Sequence, residues 1–190
     1  MKFSDFFTSK DSIQLDKKTL VFLRWIALVG QYLTITTVYF IFEFELPFLY
    51  CSIIILIGVL TNLFLQFVFK NNQLNNFAAT FCLFYDLLQL SFLLYLTGGI
   101  TNPFTILLIV PAIVSSTFLT LRSTINLSVI TIIILIVLTI NHLPLPHSGE
   151  LHFHVPDTYL YAVPIAIIIG LIFLTYFGVR FGIESRKRTE

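Results

Sequence analysis

The densest concentration of chemistry in this chain lies in seven consecutive residues, Gly98-Gly99-Ile100-Thr101-Asn102-Pro103-Phe104. Here two long apolar runs meet through a compact cluster of turn-forming and polar side chains. A Gly-Gly pair permits a sharp turn and lets a ligand come close to bare backbone. Asn102 followed by Pro103 reads as an N-cap and first helical position, so a new helix is expected to start here. The free N–H groups of its first turn, with the positive end of the helix dipole, suit a carbonyl oxygen or an anion. Phe104 adds an aromatic face beside those donors. A flat headgroup with two carbonyls and a transient negative charge, such as a quinone, matches these parts. A plain hairpin between membrane helices, with no ligand, matches the spacing too.

A second polar position is Asp86, in the middle of another apolar run. An ionisable group at such depth costs about 2.5–3.5 kcal/mol on insertion scales. It is expected to face the interior of the helix bundle, neutral unless paired. Gln89 shares its helical face, and Gln31 or Asn62 are the expected partners. Asp86 and Gly98 are separated by about 18 Å along a helix, so the two are not expected to meet. Either Asp86 holds helices together through hydrogen bonds or it couples and handles protons. Arg24 and Trp25 read as anchors at the membrane interface.

Four histidines, His142, His147, His152 and His154, fall in one late polar stretch. They invite a zinc or copper reading, but no cysteine or repeated spacing supports it. A solvated, pH-sensitive loop is expected and no metal site. Cys51 and Cys82 lie in apolar runs, without ligand spacing or a disulfide framework, and read as small buried hydrophobes. No catalytic residues are identified.

The elements that position these residues follow from composition. Of 190 residues, 57% are hydrophobic and only 11% charged, with a mean hydropathy of +0.92. Ordinary soluble domains carry about 25% charged residues, so the chain reads as an integral membrane protein. Residues 1–19 form a mixed-charge cytoplasmic leader without the features of a removable signal peptide. Six apolar runs follow, at about 20–42, 48–69, 77–96, 103–121, 123–140 and 158–181. Each is close to the roughly 20 residues a helix needs to cross a bilayer. Continuous apolarity excludes the alternation of a membrane barrel. The expected fold is all-α, a six-helix transmembrane bundle over residues 20–181, with residues 182–190 beginning a cytoplasmic linker. Pro111 and Pro164 fall inside the fourth and sixth runs and are expected to kink them. No internal repeat relates the two halves.

All eleven lysines and arginines fall in the leader, the second and fourth connectors and the tail, or at the membrane edge beside them. The positive-inside rule therefore puts both termini in the cytoplasm. It puts residues 98–102 at the outer face, periplasmic in a Gram-negative cell, where a quinone dissolved in the bilayer could arrive laterally. The basic residues Arg186, Lys187 and Arg188 read as a membrane-edge anchor, and no direct nucleic-acid binding is expected.

"GGITNPF" resembles the GGxxNPF quinone-binding heptapeptide of the RegB/PrrB family of redox-sensing histidine kinases, with all five fixed positions matching. The resemblance extends through "YDLLQLSFLLYLTGGITNPFTILLIVPAIVSS" and returns in "LRWIALVGQ". It implies a membrane input domain in a bacterial inner membrane that binds ubiquinone or a related quinone at Gly98, Gly99, Asn102, Pro103 and Phe104. Asp86, Gln89 and Gln31 are buried polar or coupling residues on the reading of the residues alone, and the resemblance assigns no chemical role to the Gln31 stretch. A homodimer, a cytoplasmic kinase region and a response regulator are implied as partners, besides lipid and the quinone pool. In the family oxidised quinone switches the kinase down. Neither cysteine corresponds to the family's redox-active cysteine, and these 190 residues contain no phosphorylatable histidine motif or nucleotide-binding segment. The catalysis of a sensor histidine kinase is thus expected of a longer protein. Two rival readings remain from the residues alone. One is a small transporter or channel component using Asp86. The other is a ligand-free assembly subunit in which the heptapeptide is only a turn.

Overall fold

A computed structural model describes residues 15–68, 73–147 and 156–187. These are helical nearly throughout, with no strand beyond an isolated bridge between Asp16 and Gln73. The helices are α1 (Lys17–Phe40), α2 (Phe48–Val68), α3 (Asn76–Leu96), α4 (Val110–Phe118), α5 (Leu121–Ile140) and α6 (Asp157–Lys187). A 3₁₀ turn, Gly99–Thr101, and a 3₁₀ helix, Pro103–Ile109, link α3 to α4.

Five of these helices are long and apolar enough to cross a membrane. The expected fourth span differs. Residues 103–118 form a shorter apolar element whose first part is wound as 3₁₀ and whose second part is α. Runs of 3₁₀ beyond three or four residues are uncommon, and this one spans Pro103–Ile109. Two prolines bracket the change in winding. Pro103 opens the 3₁₀ helix, and Pro111 sits in the first turn of α4, just after the winding changes from 3₁₀ to α. Having no N–H, Pro111 donates no backbone hydrogen bond at that junction. The 3₁₀ rise of about 2.0 Å per residue also lengthens the short element. It reaches from the layer of turns around residue 102 to the polar knot around residue 120. Pro164 lies inside α6, which continues past the expected end of the sixth run.

The turns gather in two layers. In one, Leu143 N–H donates to the Tyr95 carbonyl at 2.9 Å and Glu45 N–H to the His147 carbonyl at 3.2 Å, tying residues 41–47, 97–102 and 141–147 together. At the opposite end Asn76 accepts from Thr120 N–H at 3.0 Å and donates to Ser123 Oγ at 2.9 Å. Asn75 caps α3 by accepting from Ala78 N–H at 2.8 Å.

The helices divide into two groups. The segments from α3 to α6 pack on one another around Leu87, Leu108, Leu127, Leu135 and Leu171. The α1–α2 hairpin flanks them, with α2 against α3. No Cα of α1 lies within 8 Å of one in α3 among the described residues. Side chains bridge that gap. The outward faces carry large exposed apolar residues, such as Phe22, Phe67, Ile140 and Phe173, suited to lipid contact.

Candidate functional site

The GGITNPF segment folds back on itself through its own polar groups. Gly98 and Gly99 have φ of 110° and 52°, in the left-handed region that side chains disfavour. Thr101 Oγ1 donates to the Gly98 carbonyl at 2.6 Å. Thr105 Oγ1 reaches both the Gly99 and Asn102 carbonyls at 2.7 Å. The connection at residues 141–147 covers the glycines: a Cβ on Gly99 would collide with the His142 ring, and one on Gly98 would stand 2.6 Å from Leu145 Cδ1. The histidine stretch reads in the sequence as a solvated loop. His142 instead packs on the turn, a tertiary contact with no local signal. His152 and His154 lie outside the described residues. Among those described, no group of three potential metal ligands occurs.

Asn102 is committed within the turn. Its Nδ2 donates to the Thr97 carbonyl at 2.9 Å and to Thr97 Oγ1 at 2.8 Å. Its Oδ1 accepts from Phe104 N–H at 2.9 Å, an N-cap on the 3₁₀ helix. Capping and ligand donation compete for this side chain, and the geometry uses it for capping.

Between this turn and α6 lies a laterally open cavity of about 490 Å³. One wall is built by Ile100, Thr101, Asn102, Pro103, Thr105 and Ile106. The other is the first half of α6, from Tyr159 through Ala162, Val163 and Ala166 to Ile167. Asn102 and Pro103 are thus at the cavity, whereas Gly98, Gly99 and Phe104 lie outside its lining. Phe104 is exposed on the outside of the bundle. Tyr159 carries no signal in the sequence that ties it to the heptapeptide, which lies 55 or more positions away. The α6 wall is small and apolar, because alanines at 162 and 166 leave room beside the helix.

The buried polar residues form a second, separate group. Arg24 Nε–H donates to Asp86 Oδ1 at 2.8 Å, and Arg24 Nη2 donates to Thr61 Oγ1 at 3.0 Å. The guanidinium also stands 5.4 Å from the Tyr85 ring centroid, within cation–π range. Arg24 is only 6% exposed, so it is an interior residue and not the interface anchor expected. Asp86 accordingly finds Arg24, and neither Gln31 nor Asn62, as its partner. Gln31 is taken up by Gln89, whose Nε2 donates to Gln31 Oε1 at 3.1 Å. Asn62 turns its amide to the Val21 carbonyl at 3.2 Å. Together Arg24–Asp86 and Gln31–Gln89 form two rungs across the gap between α1 and α3.

A third contact joins the far end of the short element to α6. A Cβ on Gly178 would collide with Ser116 Oγ, and one on Gly182 would stand 3.0 Å from the Thr117 carbonyl. Close approach through two glycines four residues apart is a recurrent way for membrane helices to pack. Residues 103–118 thus meet α6 twice, across the cavity at one end and backbone to backbone at the other.

The chain is 37% identical over 174 residues, 91% of its length, to Sensor histidine kinase RegB of Cereibacter sphaeroides. A second Sensor histidine kinase RegB of that species is 37% identical over 76 residues. The matched regions span 38% and 16% of those two relatives, so the chain corresponds to well under half of their length. No family model matches the chain, and no solved structure matches it.

Proposed function

Because this chain is a RegB/PrrB-like membrane sensor domain, we propose that it is the input domain of a redox-sensing two-component histidine kinase. In this reading it binds ubiquinone or a related quinone beside the GGITNPF turn at the outer face of a bacterial inner membrane. It passes the redox state of the pool through α6 to a cytoplasmic kinase region, which acts as a homodimer on a response regulator. Both termini are cytoplasmic, as the distribution of all eleven basic residues favours.

The observation that carries this reading is the cavity. It lies against Asn102 and Pro103, and its other wall is the helix that leads to the C-terminus. Its walls are apolar apart from a few hydroxyls and the Asn102 amide, which suits a flat ring with carbonyl oxygens. Ala162 and Ala166 are exposed, leaving a lateral approach from the bilayer. When bound, a quinone supplies a redox couple in equilibrium with the membrane pool. The chain's part is to hold the ring between two elements that also touch at Ser116 and Gly178. Signalling then requires that the oxidised and reduced forms favour different arrangements of these elements, because equal affinity shifts nothing. Asp86 is held by Arg24, which leaves the transport reading without the free intramembrane carboxyl it would use.

The test is binding of ubiquinone-1 to the purified domain in nanodiscs, with Ala166→Leu filling the cavity from the α6 side. Saturable binding lost in that variant, with the fold retained, supports the reading. Partition into lipid that is equal for both proteins removes it.

A further inference from the structure

The side-chain donors around the cavity can be accounted for one by one. Thr101 Oγ1 donates to the Gly98 carbonyl, Thr105 Oγ1 to the Gly99 and Asn102 carbonyls, and Asn102 Nδ2 to Thr97. The remaining lining residues are aliphatic or proline, except Tyr159. Its hydroxyl has no protein partner among the described residues, and the side chain is 57% exposed. Its backbone is fixed, with Tyr159 N–H donating to the Pro156 carbonyl at 2.9 Å in the first turn of α6.

We propose that Tyr159 is the residue that recognises the ring carbonyl of a quinone in this cavity, and that its hydroxyl is the polar contact through which α6 reads the ligand. The proposal rests on the quinone reading above. A phenolic hydroxyl both donates and accepts. Towards an oxidised ring Tyr159 donates to the carbonyl oxygen. Towards a reduced ring, whose hydroxyls both donate and accept, it can accept as well. Only the reduced form therefore admits the accepting orientation of this hydroxyl on the output helix. The heptapeptide shapes the opposite wall, and its amide side chain acts within the turn. Tyr159 is a recognition and positioning residue; no bond is made or broken by it.

The experiment is titration of the wild-type domain in nanodiscs with ubiquinone-1, alongside Tyr159→Phe and the cavity-filling Ala166→Leu, with the carbonyl stretch of the bound quinone followed by difference infrared spectroscopy. Tyr159→Phe keeps the ring and removes only the hydroxyl, so it is expected to fold as the wild type does. Loss of one neutral hydrogen bond predicts weaker binding by about 3–10-fold, with the carbonyl stretch moving to higher frequency. If wild type binds saturably, Ala166→Leu abolishes binding and Tyr159→Phe changes neither affinity nor frequency, then Tyr159 is an interfacial aromatic only. The proposal then falls while the quinone reading stands. If the wild type shows no saturable binding, both fall together.

Discussion

The guanidinium of Arg24 donates to Asp86 Oδ1 at 2.8 Å across a gap that the backbones of α1 and α3 nowhere close to 8 Å. A charge in the membrane interior is expensive, and each of these two is supportable only because the other is present. The pair adds a directional contact to the apolar packing of Leu28, Ile35, Cys51 and Ile55 with Leu93, which also docks the α1–α2 hairpin.

Removing one partner strands the other. Arg24→Met or Asp86→Leu alone is expected to destabilise the domain by about 3–5 kcal/mol, and the double variant should recover most of that loss. Unfolding in mixed micelles across this double-mutant cycle measures the coupling. Additive losses would mean that the two side chains do not depend on each other.

The contact between α4 and α6 predicts a contrast between two glycines on one helix. Gly178→Ala drives a methyl into Ser116 and should cost about 1–3 kcal/mol. At Gly170 nothing lies within 4 Å of an added Cβ, so Gly170→Ala should be close to neutral. Adding Ser116→Gly should relieve the first variant and destabilise the second slightly, since it puts a glycine in α4 and removes the bond from Ser116 Oγ to the Ile113 carbonyl. Thermal unfolding in detergent reads all four proteins.

At the turn, Gly99→Ala combines a left-handed backbone with a collision against the His142 ring. Its expected cost is larger than the roughly 1–3 kcal/mol of backbone strain alone. Trimming the ring with His142→Ala should recover the steric part and leave the strain. A full recovery would mean that the backbone conformation of Gly99 carries no cost.

Asn102→Ala removes the cap and both donors to Thr97. Loss of a cap costs about 1 kcal/mol, so thermal stability should fall. Any loss of quinone binding should follow the loss of turn structure. Asn102→Asp keeps an oxygen for Phe104 N–H and should retain more stability than the alanine variant. Melting curves and quinone titrations on the same samples check the order. Loss of binding without loss of stability would return Asn102 to direct ligand contact.

The long spans were legible because an apolar run near the bilayer's length has few other uses, and residues 48–69, 77–96 and 123–140 lie within two residues of the helices formed. The Asn-Pro start was legible because an amide oxygen and a fixed φ act within a few residues. What lay hidden was tertiary. Arg24 stands near the start of its run and looked like an anchor, and only a partner 62 positions away shows that it turns inward. The winding of residues 103–109 was hidden for another reason. Its apolar side chains suit an α-helix equally well, and nothing in their order distinguishes three residues per turn from 3.6. The cavity was half visible, since the heptapeptide supplies one wall and Tyr159 with its alanines supplies the other.

That winding also sets an angle. A 3₁₀ helix advances about 120° per residue and an α-helix about 100°. Over Pro103–Ile109 the difference accumulates to about 140°. Ser115, Ser116 and Thr117 therefore point nearly the opposite way from where a continuous α-helix would aim them. In the phase that results, Ser115 Oγ lies 3.2 Å from Thr124 Oγ1 and Ser116 sits against Gly178. The stretch beside the cavity is an angular setting for the contact at the other end of the same element. What it fixes is rotation about the helix axis as well as reach along it.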